Sequence, residues 1–391
     1  MLIQNVLDNI EERRNRLYLG CINCIPSPFK RFQNDFNGIE QGCYTIITSS
    51  TKGAKTQFAS EVFIFHPLLY CYYNKDINVD YKVLYFPLEE TPERITQRFI
   101  SWLLFKHTNG EIMVSPKELR STTKPLKENI LEIIKSDEIQ DILKFFEEHV
   151  IFIQEGNPTG IYKACKQYAE EHGKVVTKKG KYKDEWGVLQ ETDVFDRYIP
   201  DNPNEYVVPF IDTLNLVDTE RGMTLKQSMD KMSEYCAKYL RNRYNMSPLV
   251  IQQQAFSGEG IDAFKLNKLA PSLADLGETK VSSRDCDIVL GIFSPFRYEL
   301  AEYYGYDIKK FKDNIRFLSV IINRNGELGG VCPLLFLGNV CSFTELPKPN
   351  NTNEINKVYA YLNTIRNGDK ISLSFFMHGI INKVNNLFNK K

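Results

Sequence analysis

Short β-branched and apolar runs alternate along this chain with longer stretches whose apolar positions return every three or four residues. The runs Tyr44–Thr48, Lys82–Pro87, Val150–Gln154, Tyr206–Asp212, Leu249–Gln254, Cys286–Phe293, Ile315–Asn323 and Gly330–Leu337 read as strands. Residues 55–72, 91–105, 159–171 and 225–243, with a polar stretch over 115–147, read as helices. Strands alternating with helices of this length imply an α/β fold, a mostly parallel twisted sheet with helices on both faces. Three segments leave that rhythm. Residues 1–19 predict a lone amphipathic helix, with Leu2, Val6 and Ile10 spaced by four, too short to be stable alone and so expected to dock on its own domain or a neighbouring subunit. Lys174–Asn204 is polar and Gly/Pro-punctuated, which predicts a surface insertion. In the tail 371–391, Leu373, Phe376, Ile380, Ile381, Val384, Leu387 and Phe388 fall at helical spacing with lysines toward the end. A helix on its own domain, a partner-protein contact and a membrane surface are all open for that tail.

Composition narrows the class. The 391 residues suit one large α/β domain with extensions, or two domains. Lys+Arg and Asp+Glu both number 49, so any nucleic-acid surface has to be a local patch. No stretch of 18 apolar residues occurs and the N-terminus is charged, which excludes a membrane span or secretory signal from the expectations and suits the cytosol. Nine scattered cysteines suit a reducing compartment. Cys21-x-x-Cys24 lacks a second pair or a His cluster to complete a zinc site, and reads as two small residues in a strand or turn.

Candidate chemistry gathers where predicted strands end. After the run Tyr44–Thr48 comes Ser49-Ser50-Thr51-Lys52-Gly53-Ala54-Lys55-Thr56, then a helix. Backbone N–H groups, a lysine and a hydroxyl at a helix N-terminus are the parts of a phosphate cradle, for which the usual pattern is G-x-x-x-x-G-K-[ST]. Ser49 and Ala54 stand at the two glycine positions, so an ordinary strand–turn–helix is the alternative. Asp212 ends an apolar strand as a magnesium-holding acid does; a turn or capping aspartate is the alternative, and Pro209 inside the strand is awkward. Glu89 and Glu90 end another strand, before Thr91 and Pro92 open a helix, so one of them is a candidate to orient water and either is a candidate for plain helix-start charge. Arg324 precedes Asn-Gly, a turn signal, and is expected at the outward tip of a β-hairpin.

These stations, in order, resemble the ATPase domain of DnaB-type replicative helicases of the RecA-like superfamily. The similarity covers most of Gly20–Leu346. Phe36-Asn-Gly-Ile-Glu-Gln-Gly42 is similar to the family's Gly-Gly-Leu-x-x-Gly turn, and Pro87-Leu-Glu-Glu-Thr to its Ser-Leu-Glu-Met motif, which selects Glu89 over Glu90 as the water-activating residue. Asn157-Pro-Thr-Gly-Ile resembles a Thr-Pro-x-x-Leu helix start, and Ile211-Asp-Thr-Leu-Asn-Leu resembles Ile-Asp-Tyr-Leu-Gln-Leu. Val250-Ile-Gln-Gln-Gln resembles Ala-Leu-Ser-Gln-Leu and places a γ-phosphate-sensing glutamine at Gln253. Ala274-Asp-Leu-Gly-Glu-Thr and Asn323-Arg-Asn-Gly with Leu335-Phe-Leu-Gly-Asn match later stations.

The resemblance implies a RecA-like P-loop NTPase core over 20–346, between the N-terminal helix of 1–19 and a helical tail over 347–391. It implies ATP or another NTP on Ser49–Thr56, Mg2+ on Thr56 and Asp212, catalysis by Glu89 and Gln253, and Arg324 acting in trans on the next subunit of a hexameric ring. Single-stranded DNA would pass loops 219–226 and 255–268, with Arg221, Lys226, Lys265 and Lys268 on its phosphates; solvated surface cations are the alternative there, as core packing is for Phe256 and Phe264. A primase or loader protein is an expected partner. The family's lysine two positions before the arginine is Ile322, its Asp-Leu-Arg-Glu arginine is Gly277, and its large N-terminal domain has no counterpart in the 19 residues before Gly20. The missing N-terminal domain and a Lys/Asn/Ile-rich composition fit a phage or mobile-element replication protein better than a host enzyme. Two alternatives stay open: a RecA-like ATPase without unwinding (recombinase- or clock-type), and a catalytically weakened nucleotide-binding scaffold.

Overall fold

The computed structural model describes residues 2–183, 186–254, 269–273, 276, 281–324, 326 and 328–367. The strands of three residues or more, in chain order, are β1 (Thr45–Ser49), β2 (Asp80–Pro87), β3 (Val150–Phe152), β4 (Gly173–Lys183), β5 (Leu189–Pro200), β6 (Glu205–Asp212), β7 (Leu249–Gln253), β8 (Ile288–Phe293), β9 (Ile315–Asn323), β10 (Val331–Leu337) and β11 (Ser342–Glu345). Among the described residues, nine of them form one sheet in the order β11-β10-β9-β8-β1-β7-β6-β2-β3. The six strands from β8 to β3 run parallel, and β9, β10 and β11 add an antiparallel flank.

The parallel strands are apolar on both sides because both sides are covered. Ile47, Val83, Tyr85, Val208, Phe210 and Ile251 face one core with Phe58, Phe99 and Trp102; Ile46, Leu84, Phe86, Val207, Ile211 and Val250 face another with Ile161, Met229 and Leu240. Pro209 is accommodated because β7 begins alongside β6 only at Phe210, one residue beyond it.

One helical run follows β1, through Lys55–Ser60, a π turn at Glu61–Phe65, and His66–Tyr73. The widened turn has a local cause. Pro67 has no N–H and its ring crowds the carbonyl four residues back, that of Phe63. Tyr81 Oη donates to that freed carbonyl at 2.6 Å, tying the helix to β2.

One expectation is revised by the fold and another takes definite form. The polar stretch 115–147 is not one helix but three, Pro116–Leu119, Glu128–Ile134 and Asp137–His149; Pro125 disfavours helix at the residue before it. The insertion is an ordered two-stranded ribbon, β4 against β5, with cross-strand pairs Lys178–Asp196 at 3.0 Å and Lys179–Asp193 at 2.9 Å. Its base is fixed by Tyr198, whose hydroxyl donates to the Ala169 carbonyl at 2.9 Å. The first helix, Leu2–Tyr18, leaves Ile3, Val6, Leu7, Ile10 and Leu17 exposed, and its last turn is tied to the body by the Arg16 bond to the Ile22 carbonyl at 2.9 Å. A final helix spans Thr352–Asn367; the tail 371–391 lies outside the described residues. Among the described residues no helix is long and apolar enough to cross a membrane, no His/Cys/Asp/Glu group is arranged to hold a metal, and all nine cysteines are free thiols.

Candidate nucleotide site at the C-terminal edge of the sheet

Strand register brings residues remote in the chain to one edge. Pro87 pairs with Asp212, Ser49 with Gln253, and Ser49 with Ile292, so β1, β2, β6, β7 and β8 all finish together. The loop after β1 crosses that edge and enters the 55–73 helix, whose first N–H groups have no partner within the helix.

The loop is a tight one. Lys52 has φ 60 and Ala54 has φ 72, ψ 30, both left-handed. Gly53 N–H donates to the Ser50 carbonyl at 3.1 Å, and a Cβ at Gly53 would collide with Ser49 Oγ. That hydroxyl donates to the Ser50 carbonyl at 2.8 Å, and Lys55 Nζ donates to the same carbonyl at 3.4 Å. Ser50 Oγ is buried and has no hydrogen-bond partner among the described residues.

At the helix start, Thr56 Oγ1 donates to Asp212 Oδ1 at 3.1 Å, and Tyr85 Oη donates to Asp212 Oδ2 at 2.8 Å. Asp212 is fully buried. Burial pushes its carboxyl up to about 6; the Tyr85 hydrogen bond acts in the opposite sense, and the nearby Glu89 charge adds to the rise. The Asp212 carbonyl also accepts the N–H groups of Leu88 at 2.9 Å and Glu89 at 3.1 Å, which fixes the backbone of Glu89 against the end of β6.

The two glutamates differ. Glu90 is bound by the Arg98 guanidinium, with side chains 19% and 15% exposed respectively, whereas Glu89 is exposed at the edge and no ion pair fixes it among the described residues. Two neighbouring glutamines differ too. Gln252 is buried and accepts from Ser282 Oγ at 2.8 Å, while Gln253 reaches the loop, donating from Nε2 to Thr51 Oγ1. Asn215 Oδ1 holds the Gln253 N–H at 2.8 Å.

Arg324 lies elsewhere. It follows β9, whose last residue Asn323 pairs with Ile288, and Ile288 pairs with Thr45 at the beginning of β1. The opposite edge of the sheet is therefore its place, about 13 Å along β1 from the loop at the usual rise per residue. It stands in the connection between antiparallel β9 and β10, whose pairing ends at Ser319 and Val331 while β9 keeps pairing with β8 to Asn323. Arg324 is exposed; its backbone N–H donates to the Asp287 carbonyl at 3.0 Å and its guanidinium to the Arg284 carbonyl.

Arg221 and Lys226 are both exposed, Lys226 in the first turn of the helix Leu225–Tyr235, which Thr224 and Gln227 cap reciprocally. Lys265 and Lys268, with Phe256 and Phe264, lie outside the described residues. The sequence reading missed Tyr85, Asn215 and Arg316. Each is a polar group inside or beside an apolar strand, a signal visible in the chain but without an assignable partner there.

Compared with known proteins, the sequence matches no family model and no curated protein. Solved structures do match. A structure described as an ATPase domain aligns with TM-score 0.58 at 15% identity, over 88% of this chain and 99% of that one. A DnaB-like replicative helicase, solved for its interactions with primase, aligns with TM-score 0.57 at 14% identity over 87% of this chain, and the match spans 65% of the helicase. The chain has the RecA-like ATPase fold of these helicase-type structures.

Proposed function

We propose that this chain is a motor ATPase of the DnaB helicase kind, hydrolysing a nucleoside triphosphate at subunit interfaces and translocating on single-stranded DNA as a ring. The carrying observation is the 3.1 Å hydrogen bond between Thr56 Oγ1 and the buried Asp212 carboxylate at the end of the loop. Two hard oxygen donors at a helix N-terminus, with Glu89 adding negative charge, fit a magnesium ion that also touches phosphate. The orphaned Ser50 hydroxyl in the loop fits a phosphate oxygen. Bound there, magnesium would neutralise charge on the transferred phosphoryl group.

The chain's own residues then divide the work. Backbone N–H groups of the loop other than that of Gly53, and the Lys55 amine, bind the phosphates. Glu89, held by its backbone at the Asp212 carbonyl, accepts a hydrogen bond from the water that attacks the γ-phosphorus, and the bond to the leaving diphosphate oxygen breaks. Gln253, bonded to Thr51, registers whether the γ-phosphate is present. Arg324 sits at the wrong edge for its own protomer's phosphates, which favours service to a neighbour, so oligomerisation is part of the active site. The exposed apolar face of Leu2–Tyr18 supplies a docking element for that assembly. Arg221 and Lys226, with Lys265 and Lys268, are the DNA phosphate contacts, and a primase or loader is the further partner.

The test is ATP turnover with and without single-stranded DNA for wild type, Lys55→Ala and Arg324→Ala, and for a mixture of the two variants. Each variant alone is expected to be inactive. The mixture regains activity, because an Arg324→Ala protomer's loop meets an intact arginine from a Lys55→Ala neighbour. No recovery in a mixed oligomer rules out the trans arrangement. One observation favours a second reading: Ala54 holds a left-handed conformation where the pattern has glycine, which suits a weak binder. Wild type without magnesium-dependent hydrolysis, and unchanged by Lys55→Ala, supports that scaffold reading. DNA-stimulated hydrolysis without strand displacement on a fork supports a RecA-like ATPase that does not unwind.

A further inference from the structure

A buried cation stands behind the phosphate loop and takes no part in the chemistry above. Arg316, second residue of β9, is 2% exposed. Its Nε donates to the Gly53 carbonyl at 3.3 Å, and its Nη1 to the carbonyls of Asp313 and Ile315, both at 2.8 Å. Nη2 donates to Asp313 Oδ1 at 2.9 Å, and the guanidinium carbon lies 4.5 Å from the centre of the Phe336 ring. A planar fork held at that many points has one orientation.

The bond to Gly53 falls where the loop departs from the glycine pattern. Ala54 carries a Cβ at φ 72, a conformation that glycine adopts freely and alanine does not. Rotating the Gly53–Ala54 peptide by about half a turn carries Ala54 to an ordinary negative φ. That flip swings the Gly53 carbonyl off Arg316. It also reverses the Ala54 N–H, since C=O and N–H point in opposite directions across a trans peptide.

Building on the nucleotide-site reading, we infer that Arg316 is a positioning residue: through the Gly53 carbonyl it locks the Gly53–Ala54 peptide in the phosphate-binding orientation, against the relaxation that Ala54 favours. The arginine does for this loop what a glycine at position 54 would make unnecessary.

The test is titration of the full chain with a fluorescent ATP analogue, for wild type, Arg316→Met, Ala54→Gly and the double variant. Methionine fills the volume and removes the donors. Arg316→Met is expected to lose about 10-fold or more in affinity, and the double variant to bind within about threefold of Ala54→Gly, because glycine at 54 gains nothing by flipping. Equal losses from Arg316→Met with alanine or glycine at 54 overturn the lock and leave Arg316 as packing. Should Arg316→Met not fold, as judged by thermal melting, Asp313→Asn decides. That carboxylate is 66% exposed, and loosening the fork there is expected to give a smaller loss with the same rescue by Ala54→Gly. Wild type that binds no analogue overturns the nucleotide reading itself. Wild type that binds, with neither variant weaker, overturns the lock alone.

Discussion

The two edges of the parallel sheet are built in opposite ways. At the C-terminal edge two hydrogen-bonded sets lie side by side, Thr56 and Tyr85 on the fully buried Asp212, and Thr51 and Asn215 on Gln253. At the N-terminal edge, Arg324 is an exposed cation at the end of β9, held through the Asp287 and Arg284 carbonyls. One edge is a set of donors and acceptors around a buried carboxyl. The other offers a positive group about 13 Å away along the strands, out of reach of that set. The difference is what the proposed trans arrangement draws on: the opposite edge of another copy would bring a cation that this edge does not receive from its own Arg324.

Removing the distant cation is the strongest way to break the comparison. Arg324→Ala is expected to lower DNA-stimulated turnover by about 10³-fold or more, the scale of an arginine finger. Its melting temperature should stay at the wild-type value, because the side chain is exposed. Turnover within a few-fold of wild type would make it a surface arginine.

Next in size is the contrast within the phosphate edge itself. Glu89→Gln is expected to lower turnover about 10²–10⁴-fold with nucleotide affinity unchanged, as loss of a water-orienting base does. Glu90→Gln should act on stability instead, by about 1–3 kcal/mol, since it removes the partner of a largely buried Arg98. Denaturant melts beside steady-state rates separate the two, and an exchange of their effects would transfer the catalytic role to Glu90.

Asp212 sharpens the picture through pH. Its carboxyl titrates near 6 when folded, above the usual carboxylate range, chiefly because it is buried. Between the two values the folded protein keeps a proton that the unfolded chain has released, so this group's contribution to stability is full at lower pH and is lost as pH rises through about 6. Without magnesium, Asp212→Asn is therefore expected to be more stable than wild type at about pH 7, by up to about 3 kcal/mol, with the gap closing near about pH 4. Urea denaturation at both pH values measures it. A variant less stable at neutral pH would mean that Thr56 and Tyr85 hold the carboxylate ionised.

The smallest effect concerns the loop. Ala54→Gly should stabilise the fold by about 1 kcal/mol, through relief of a left-handed alanine, offset in part by the greater freedom of glycine in the unfolded chain. A thermal melt that falls rather than rises would show the loop unstrained.

Much of this molecule was legible from local pattern. Apolar runs and helix-start signals such as Thr91-Pro92 and Asn157-Pro158 depend on residues close in the chain, and the elements fall where they indicate. Pairing of β6 with β2 through its whole length, with Pro209 in register against Leu84, did not follow from that pattern. Nor did the ribbon of β4 and β5, because charged residues read as loop until cross-strand partners such as Lys178 and Asp196 are seen together. The extent of the β9–β10 pairing was hidden for a similar reason: a local turn signal does not tell that their ladder stops at Ser319 and Val331 while β9 goes on pairing with β8 to Asn323.

What the chain settled alone is the alternation of the core strands and helices, since that is set by neighbours within a few residues. Tertiary structure decided which groups meet. Strand register set Pro87 beside Asp212, which lets Tyr85 and Thr56 share one buried carboxylate. Burial then moved its titration, a shift that no reading of residue types supplies. It also brought Arg316 behind Gly53 and sent Arg324 to the far edge, because antiparallel β9 begins at one end of the sheet and finishes at the other.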